Sequence, residues 1–475
     1  MEIHVSLVGR TDLSGEIYRQ LRQAILDGRL MPGDRLPPTR ELARSLSVSR
    51  TTVSVAYERL TGQGFVTARV GAGTFVSEHI AKSLGRRRRG GIASQLRALP
   101  LWESIPVSTA FAQPAEFDFR SGLPDASLFP FEAWRRLMAR QLRAGAVGRG
   151  IYQEPAGHPG LREAIARHIA IARGIQATAD DITITNGSQQ AMDVVARALL
   201  APGDRAAVED PGYSPPRWLL QSLRVRLQGV PVDDQGLIVD ALHPRTRLVY
   251  ITPSHQYPLG VPMSLRRRQA LLAWAQRQDA AVVEDDYDSE FRFFGRPLDP
   301  LQTLDSAGRV IYMGSFSKTM LPTLRLGFVV TPPSLTKAVQ TAKFVADWHT
   351  SIPAQAALAN FIDDGTFARH VRKMNAVYEE RHEMITDIIG RDFVDHLKLL
   401  PSAAGLHIAA VARSVSAQQV HVIADKAANA GVQVQELTRF AFEADPMAGL
   451  VLGYGAIATS RIAQGMRRLR CCIEN

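Results

Sequence analysis

The amino-acid sequence predicts two folded parts: a small helical domain that ends in a β-hairpin, and a larger α/β domain built on a mostly parallel sheet. A chain of 475 residues is too long for one hydrophobic core. Near residue 116 the hydrophobic pattern changes to short apolar runs that alternate with helical segments. Residues 79–115 lack sustained periodicity and contain an arginine run at 86–89, which predicts a linker. The predicted domains are therefore 1–78 and 116–475.

Composition and charge indicate a folded protein that can bind a polyanion. Hydrophobic residues make up 45% of the chain and charged residues 21%, as in globular proteins. No apolar run is long enough to span a membrane, and residues 1–10 lack the apolar core of a secretory signal. Cys471 and Cys472 are adjacent and predict neither a disulfide framework nor a metal site. We expect a cytoplasmic protein with no bound metal, and its net charge of +10 is compatible with a nucleic-acid partner.

The first domain has the element order helix, helix, short turn, helix, hairpin. Residues 13–28 carry apolar side chains at four-residue spacing, which predicts the first helix. Thr39 follows two prolines and can cap the second helix, and Ser49 can cap the third. Two short β-type runs at 65–69 and 74–76 flank a glycine-containing turn. This order is that of a winged helix-turn-helix, in which the third helix enters the major groove of double-stranded DNA.

The start of the third predicted helix carries side chains suited to DNA. Hydroxyls and backbone N–H groups at a helix start suit phosphate, and an arginine there can reach a guanine edge. A glycine in the wing lets the backbone approach the duplex. The candidate DNA contacts are Arg40, Ser49, Arg50, Thr51, Thr52 and Gly71. The alternative is a small helical bundle with a solvated arginine face.

Residues 14–76 resemble the GntR-type winged helix. The matching stretches are YRQLRQAILDG (18–28), PGDRLPPTRELA (32–43), VSRTTV (48–53) and GAGTFV (71–76). The resemblance implies the same six DNA contacts.

In the second domain, one lysine stands out by its position. Lys318 follows the strand-like run 310–313 among small hydroxyl residues, where ligands bind in open α/β sheets. Most lysines are solvated surface charges, whereas a Schiff-base lysine needs a sheltered site that lowers its pKa. Ser315, Ser317 and Arg325 can contact a phosphate.

Three further strand ends carry polar or aromatic residues that suit pyridoxal 5′-phosphate (PLP). Asp285 can pair with a pyridine nitrogen, and alternation along the chain places Tyr287 on the same side. Residues 186–191 join a strand to a helix, whose first amides can bind phosphate. Tyr213 can stack on a flat ring, although a single tyrosine is more often packing.

Over residues 116–470 these stretches resemble the fold-type I aminotransferases, with a smaller C-terminal α+β subdomain, and most closely the MocR subfamily of GntR regulators. The matching motifs are YQEPAGHPGLR (152–162), EDPGY (209–213), TPSHQYPLG (252–260), EDDYDSEF (284–291) and GSFSK (314–318). The resemblance implies a homodimer in which Tyr152 reaches the phosphate of the partner subunit's PLP. It also implies Lys318 as the Schiff-base lysine, Asp285 at the pyridine nitrogen, Tyr287 at the ring oxygen, Tyr213 stacked on the ring, and Ser188, Gln189, Ser315 and Arg325 as phosphate ligands.

Two positions depart from the aminotransferase pattern. The arginine that usually holds the substrate carboxylate is replaced by Val451, and the asparagine beside the ring oxygen by Gln256 or Tyr257. Both departures disfavour transamination of an ordinary amino acid.

The sequence thus predicts a PLP-dependent, DNA-binding transcription regulator whose signal is PLP itself or an amine. One alternative is an active aminotransferase with an appended DNA-binding domain, so the enzymatic status stays open. Another is a DNA-binding protein whose large domain has lost PLP and serves as a dimer scaffold. The combination of Lys318, Asp285, Tyr287 and Arg325 disfavours that last hypothesis.

Overall fold

A computed structural model describes residues 12–69, 71–78, 97–106, 115–143, 151–293, 299–402 and 404–474. Backbone contacts divide the chain into two compact units, Met1–Pro100 and Leu101–Asn475. The arginine run at 86–89 lies outside the described residues, and the limits of the 79–115 linker stay a prediction. Among the described residues, no helix combines the length and apolarity needed to cross a bilayer.

The first unit has the predicted element order. Three helices, α1 (Leu13–Leu26), α2 (Thr39–Ser45) and α3 (Arg50–Gly62), precede an antiparallel hairpin of β1 (Val66–Arg69) and β2 (Gly73–Val76). The winged helix-turn-helix prediction is confirmed.

The core of this unit lies between α1 and α3. Ile17, Leu21 and Ile25 are buried at the four-residue spacing read from the sequence. They belong to one cluster with Val53 and Leu60 of α3, both fully buried. Side chains four residues apart line one helix face, so this packing fixes the orientation of α3.

One predicted cap is confirmed and the other is wrong. The Ser49 hydroxyl accepts a hydrogen bond from the Thr52 backbone N–H at 3.1 Å and caps α3. Thr39 is instead the first residue of α2. Pro38 occupies the cap position, because its φ of −54° and ψ of 141° already supply the extended backbone needed there. The Thr39 hydroxyl accepts from Arg50 Nε at 3.4 Å.

The second unit is built on a central eight-stranded sheet. Its strands are β4 (Ile182–Thr185), β5 (Arg205–Asp210), β6 (Arg226–Asp233), β7 (Gly236–Leu237), β8 (Thr246–Ile251), β9 (Ala281–Asp286), β10 (Val310–Ser315) and β11 (Gly327–Val330). Across the sheet they lie in the order β4-β11-β10-β9-β8-β5-β6-β7. Neighbours from β6 through β5, β8 and β9 to β10 run parallel, whereas β11, β4 and β7 add antiparallel edges. The parallel strands bring their carboxyl ends to one edge, where ligands bind in such sheets.

Helices connect the strands of the second unit. The short helix α4 (Pro100–Ser104) begins at the last residue of the first unit. The helices within the second unit are α5 (Phe131–Gln141), α6 (Pro159–Arg173), α7 (Ser188–Leu199), α8 (Ser214–Ser222), α9 (Leu265–Gln278), α10 (Leu301–Leu304), α11 (Pro333–Asp347), α12 (Ile352–Asp363), α13 (Thr366–Asp392), α14 (Ala417–Asn429) and α15 (Thr459–Glu474). The central strands are almost entirely buried, as expected for parallel strands packed between helices.

The predicted C-terminal α+β subdomain contains a second sheet. Strands β12 (Leu397–Leu399), β13 (His407–Ala412), β16 (Gly449–Gly453) and β15 (Gln435–Glu436) pair antiparallel in that order. The short strand β14 (Val432–Gln433) pairs with β3 (Phe117–Asp118) from the start of the unit. This pairing fixes residues 117–122 beside the subdomain.

Leu60→Ala is expected to destabilise the first unit by about 2–5 kcal/mol, because it leaves a cavity in the α1–α3 core. Hydrogen exchange of the whole chain, followed peptide by peptide, is the measurement. Peptides from residues 12–78 should lose protection while those from the second unit keep theirs. Val55→Ala, at a position 38% exposed on the same helix, is the matched control. Equal protection in the Leu60 variant would contradict the assigned core.

Candidate cofactor and DNA-binding sites

The predicted DNA contacts lie at the adjoining starts of α2 and α3 and in the hairpin turn. Arg40, Arg50 and Thr51 are exposed, and the contact between Arg50 and Thr39 holds the two helix starts together. Ser49 is exposed and Thr52 is half-buried, because these two residues cap the helix. Gly71 lies in the hairpin turn with φ of 75°, a left-handed conformation that favours glycine. The described arrangement is compatible with a recognition helix and a wing.

A candidate phosphate cradle lies in the second unit, where β4 is followed by the start of α7. Gly187 precedes the helix with φ of 79°, and the helix start has no side-chain cap. Its first backbone N–H groups, at Ser188 and Gln189, therefore have no intrahelical acceptor. Arg325 Nη2 donates to the Asn186 carbonyl at 2.8 Å, and a Cβ on Gly187 would lie only 2.9 Å from that nitrogen. A helix start with a guanidinium beside it suits an anion.

The end of β10 completes this cradle. Ser315 pairs with Gly327 across β10 and β11, and a Cβ on Gly327 would lie 2.9 Å from the Gly187 Cα. The Ser315 hydroxyl accepts from the Ser317 N–H at 3.1 Å. The fold thus brings all four predicted phosphate ligands, Ser188, Gln189, Ser315 and Arg325, to adjoining loops.

Lys318 lies three residues beyond β10, and its amine contacts the segment that follows β3. Lys318 Nζ donates to the Gly122 carbonyl at 2.8 Å. Burial lowers the pKa of Lys318, while the carboxylates of Asp288 and Asp285 oppose that shift. A lowered pKa is what an amine needs to act as a nucleophile at neutral pH.

Asp285 lies on β9, and only one of its two carboxylate oxygens has a hydrogen-bond partner among the described residues. Tyr250 Oη donates to one carboxylate oxygen at 2.6 Å, and the other oxygen is buried without a partner among the described residues. Burial raises the pKa of Asp285 to about 6. A buried acceptor without a donor is costly. A protonated ring nitrogen would supply the missing donor.

Aromatic rings surround the same edge of the sheet. Tyr213 is 37% exposed, and its ring lies 5.4 Å from that of Tyr257 in an edge-to-face arrangement. Tyr287 Oη donates to the His255 carbonyl at 2.9 Å and lies 3.0 Å from His255 Nδ1. A partly exposed tyrosine ring such as that of Tyr213 can stack on a flat ring.

The sequence interpretation missed a buried histidine network behind these rings. His255 Nδ1 lies 3.0 Å from Asp288 Oδ2, and its Nε2 lies 3.1 Å from Ser402 Oγ. The rings of His255 and His407 are 4.7 Å apart, and ligating atoms of His255, Asp288 and His407 lie within 4.8 Å of one another. The sequence analysis predicted no metal site and did not consider this cluster. Two members lie in the motifs at 252–260 and 284–291, which were the available signal.

Tyr152 is not among the contacts described above and lies on exposed surface, in a rim that it forms with Trp348. It is 71% exposed, and its ring stacks on Trp348 with centroids 4.3 Å apart. Asp347, next to Trp348, accepts from Asn186 Nδ2 at 2.6 Å and so connects the rim to the phosphate cradle. The contact of Tyr152 with the partner subunit's cofactor stays a prediction.

The structure describes all three residues at which the sequence departs from the aminotransferase pattern: Gln256, Tyr257 and Val451. Gln256 is buried and donates through Nε2 to the carbonyls of Pro211 and Tyr257 at 2.9 and 2.8 Å. Its amide nitrogen is therefore hydrogen-bonded to the backbone. Tyr257 instead contacts Ser121, with 2.6 Å between the hydroxyl oxygens. Val451 is fully buried in β16.

The side chains at this edge fit PLP. The helix start with Arg325 fits its phosphate, the unpartnered oxygen of Asp285 fits a pyridinium nitrogen, and Lys318 is the amine that would hold it. PLP, when bound, supplies an electron sink for bonds at an amine-bearing carbon.

Comparisons with known proteins agree with this fit. Residues 117–446 match the aminotransferase class I and II family, and residues 13–76 match the bacterial regulatory proteins of the gntR family. A kynurenine aminotransferase from Pyrococcus horikoshii, solved in complex with PMP, superimposes with a TM-score of 0.70 at 27% identity over 82% of this chain and 98% of that chain. The α-aminoadipate aminotransferase LysN from Thermus thermophilus, complexed with N-(5′-phosphopyridoxyl)-L-leucine, gives 0.71 at 28% identity over 79% and 97%.

Two regulators match along most of their length. The probable rhizopine catabolism regulatory protein MocR of Rhizobium meliloti is 37% identical over 96% of this chain and 92% of its own. The pyridoxine biosynthesis transcriptional regulator PdxR of Corynebacterium glutamicum is 29% identical over 94% and 92%. The protein is a PLP-binding protein of the aminotransferase fold that carries a GntR-type winged helix and regulates transcription. Within that class, the chain belongs to the MocR subfamily.

Gly327→Ala is expected to weaken PLP binding about tenfold, because the new Cβ would displace the Gly187 loop from its 2.9 Å approach. Titration of cofactor-free protein with PLP, followed by visible absorption, measures the change. Gly390→Ala is the matched control, since that helical glycine of α13 has open space around it. Unchanged affinity in the Gly327 variant would place the phosphate elsewhere.

Proposed function

We propose that occupation of the Lys318 site, by PLP or by an amine that reacts there, sets the affinity of the winged helix for DNA. One combination of features carries the proposal. The site keeps Lys318, Asp285 and the phosphate cradle, whereas the resemblance to aminotransferases aligns Val451 with the arginine that holds their substrate carboxylate. Such a site can hold the cofactor without being built for efficient turnover of amino acids.

The thermodynamic requirement on the signal is specific. A ligand shifts DNA affinity only if it binds two conformations of the protein unequally, and the coupling is reciprocal. Formation or loss of a bond at Lys318 changes the charge beside Asp285 and Asp288, both of which raise the pKa of the lysine. The pyridoxine pathway in the name of the Corynebacterium relative favours PLP as one candidate signal. Because the target is DNA, we place the protein in the cytoplasm.

A homodimer is part of this proposal. Tyr152, Phe344 and Trp348 are exposed and their rings contact one another, and contiguous apolar surface of this kind is typical of interfaces. Two winged helices in one dimer would read half-sites about one DNA turn apart, or a multiple of that distance.

The competing candidate is an active aminotransferase. The lowered pKa of Lys318 favours it, because a free amine is the nucleophile. The absence of an arginine at 451 disfavours it. Steady conversion of an amino donor and a keto acid by the purified protein would support this second candidate.

Arg50→Ala is expected to weaken binding to an operator selected from a random library by about tenfold, because it removes an exposed cation at the start of α3. If Arg50 contacts a phosphate, the salt dependence of log Kd should also fall by about one unit of slope. Fluorescence anisotropy at several salt concentrations gives both values. Arg29→Ala, an exposed arginine paired with Asp27, is the control. Equal losses in both variants would indicate only a charge effect.

Lys318→Ala is expected to abolish the visible absorption band of the PLP-loaded protein, because the covalent link needs the lysine amine. Borohydride should remove the band from the wild type because hydride reduces the C=N bond of the link to a secondary amine. Lys337→Ala, an exposed lysine on α11, should keep it. A wild type that stays colourless after incubation with PLP would refute the cofactor site.

A further inference from the structure

A carboxylate at the end of α11 holds the turn that forms the phosphate cradle. Asp347 accepts hydrogen bonds through Oδ2 from Asn186 Nδ2 at 2.6 Å and from Gln190 Nε2 at 2.8 Å. The carboxamide oxygen of Gln190 in turn accepts from the Asn186 backbone N–H at 2.8 Å. The two residues that flank 187–189 are therefore bonded both to Asp347 and to each other.

This small network fixes the groups of the turn that suit a phosphate. The Asn186 carbonyl accepts from Arg325 Nη2 at 2.8 Å, so Asn186 is held by Arg325 through its backbone and by Asp347 through its side chain. Gln190 lies in the first turn of α7, whose start has no side-chain cap. The direction of the first N–H groups of α7 therefore depends on the contacts of Asn186 and Gln190.

A buried lysine supplies the counter-charge of Asp347. The Lys343 side chain is fully buried, and its amine donates to Asp347 Oδ1 from one helical turn away. Lysines are almost never fully buried unless they are paired. Burial lowers the pKa of Lys343, and the Asp347 carboxylate opposes that shift. The pair lets a carboxylate lie beside an anion site without adding net negative charge there.

The chain turns sharply directly after Asp347. Trp348 has φ of 67° and ψ of −74°, and the His349 N–H donates to the Asp347 carbonyl at 2.9 Å. This three-residue γ-turn is rare and strained for a residue with a side chain, and such a conformation persists only where its surroundings hold it. Here the Trp348 ring stacks on Tyr152 at 4.3 Å and meets Phe344 edge to face at 4.7 Å between centroids. These ring contacts fix the end of α11, and with it the position of Asp347.

From these contacts we infer that Asp347 is a positioning residue for the cofactor phosphate, which orients the 186–190 turn without contacting the ligand itself. The inference rests on the proposed function and on the candidate phosphate cradle of that site. Both carboxylate oxygens of Asp347 already accept from the protein, and a carboxylate would repel a phosphate at contact distance. A residue that acts in this way affects only ligands that carry the phosphate.

The test compares PLP with 5′-deoxypyridoxal, which keeps the ring and the aldehyde but lacks the phosphate. Each ligand is titrated into the cofactor-free, full-length wild type and into Asp347→Asn, and the visible band gives the affinity. Lys318→Ala serves as the blank for reaction at other amines. Asp347→Asn is expected to weaken PLP binding about tenfold, because a neutral amide holds the side chains of Asn186 and Gln190 less strongly than a carboxylate does. Its affinity for 5′-deoxypyridoxal should equal that of the wild type.

Two further variants separate positioning from folding. Asp347→Asn leaves the buried Lys343 amine without its counter-charge, so the variant is first checked for folding by circular dichroism. Asp347→Asn combined with Lys343→Met removes both charges, should show the same selective loss, and decides the question if the single variant is unfolded. Asp193→Asn is the matched control, because Asp193 lies on α7 and pairs with Arg197 four residues further along. It should change neither affinity.

The possible failures are distinguishable. An equal loss of affinity for both ligands would mean that Asp347 only supports the fold, and an unchanged affinity for PLP would mean that the turn does not need it. Either result would overturn the inference. A wild type that shows no visible band with PLP would instead refute the proposed function at its cofactor step.

Discussion

The carboxylate of Asp285 is buried at the carboxyl edge of the central sheet with one oxygen bonded to Tyr250 and the other without a partner. Burial alone would favour the protonated acid, and the raised pKa of about 6 reflects that cost. The Tyr250 hydrogen bond and the nearby Lys318 charge lower the pKa of Asp285 and so offset part of this cost. A protonated ring nitrogen would supply the hydrogen-bond donor for the second carboxylate oxygen. The site is therefore best satisfied with the cofactor present, and the other contacts at this edge position groups around that one requirement.

The surrounding fold makes this geometry possible. Parallel strands β9 and β10 bring Asp285 and the Lys318 loop to one edge, while the antiparallel strand β11 returns Arg325 and Gly327 to the phosphate cradle. A side chain at Gly327 would meet the Gly187 backbone, and one at Gly187, whose φ is 79°, would meet the Arg325 guanidinium. Residues 117–122 are fixed through the β3–β14 pairing, and so the Gly122 carbonyl reaches the lysine amine.

Much of the fold and part of the site can be predicted from the sequence. Local patterns are sufficient for the helix order of the winged helix, the Ser49 cap and the short buried strands, because each depends on residues near one another in the chain. The Thr39 cap was wrong because proline at 38 supplies the cap conformation itself. The contacts of Lys318 with Gly122, of Ser121 with Gln435, and of His255 with Asp288 and Ser402 join distant segments. Single-sequence patterns do not show which distant segments meet, although His255 and Asp288 each lie in a motif that the sequence analysis singled out.

The central claim is that the Lys318 site and the DNA-binding helix are energetically coupled. The most direct measurement is the equilibrium Kd for a selected operator in three states: cofactor-free, PLP-loaded, and PLP-loaded with a primary amine such as methylamine, for the wild type and for Lys318→Ala. The account predicts that at least one addition changes the wild-type Kd by about tenfold, within the usual range of allosteric coupling, and that neither changes the variant. A wild-type Kd that is the same in all three states would contradict it.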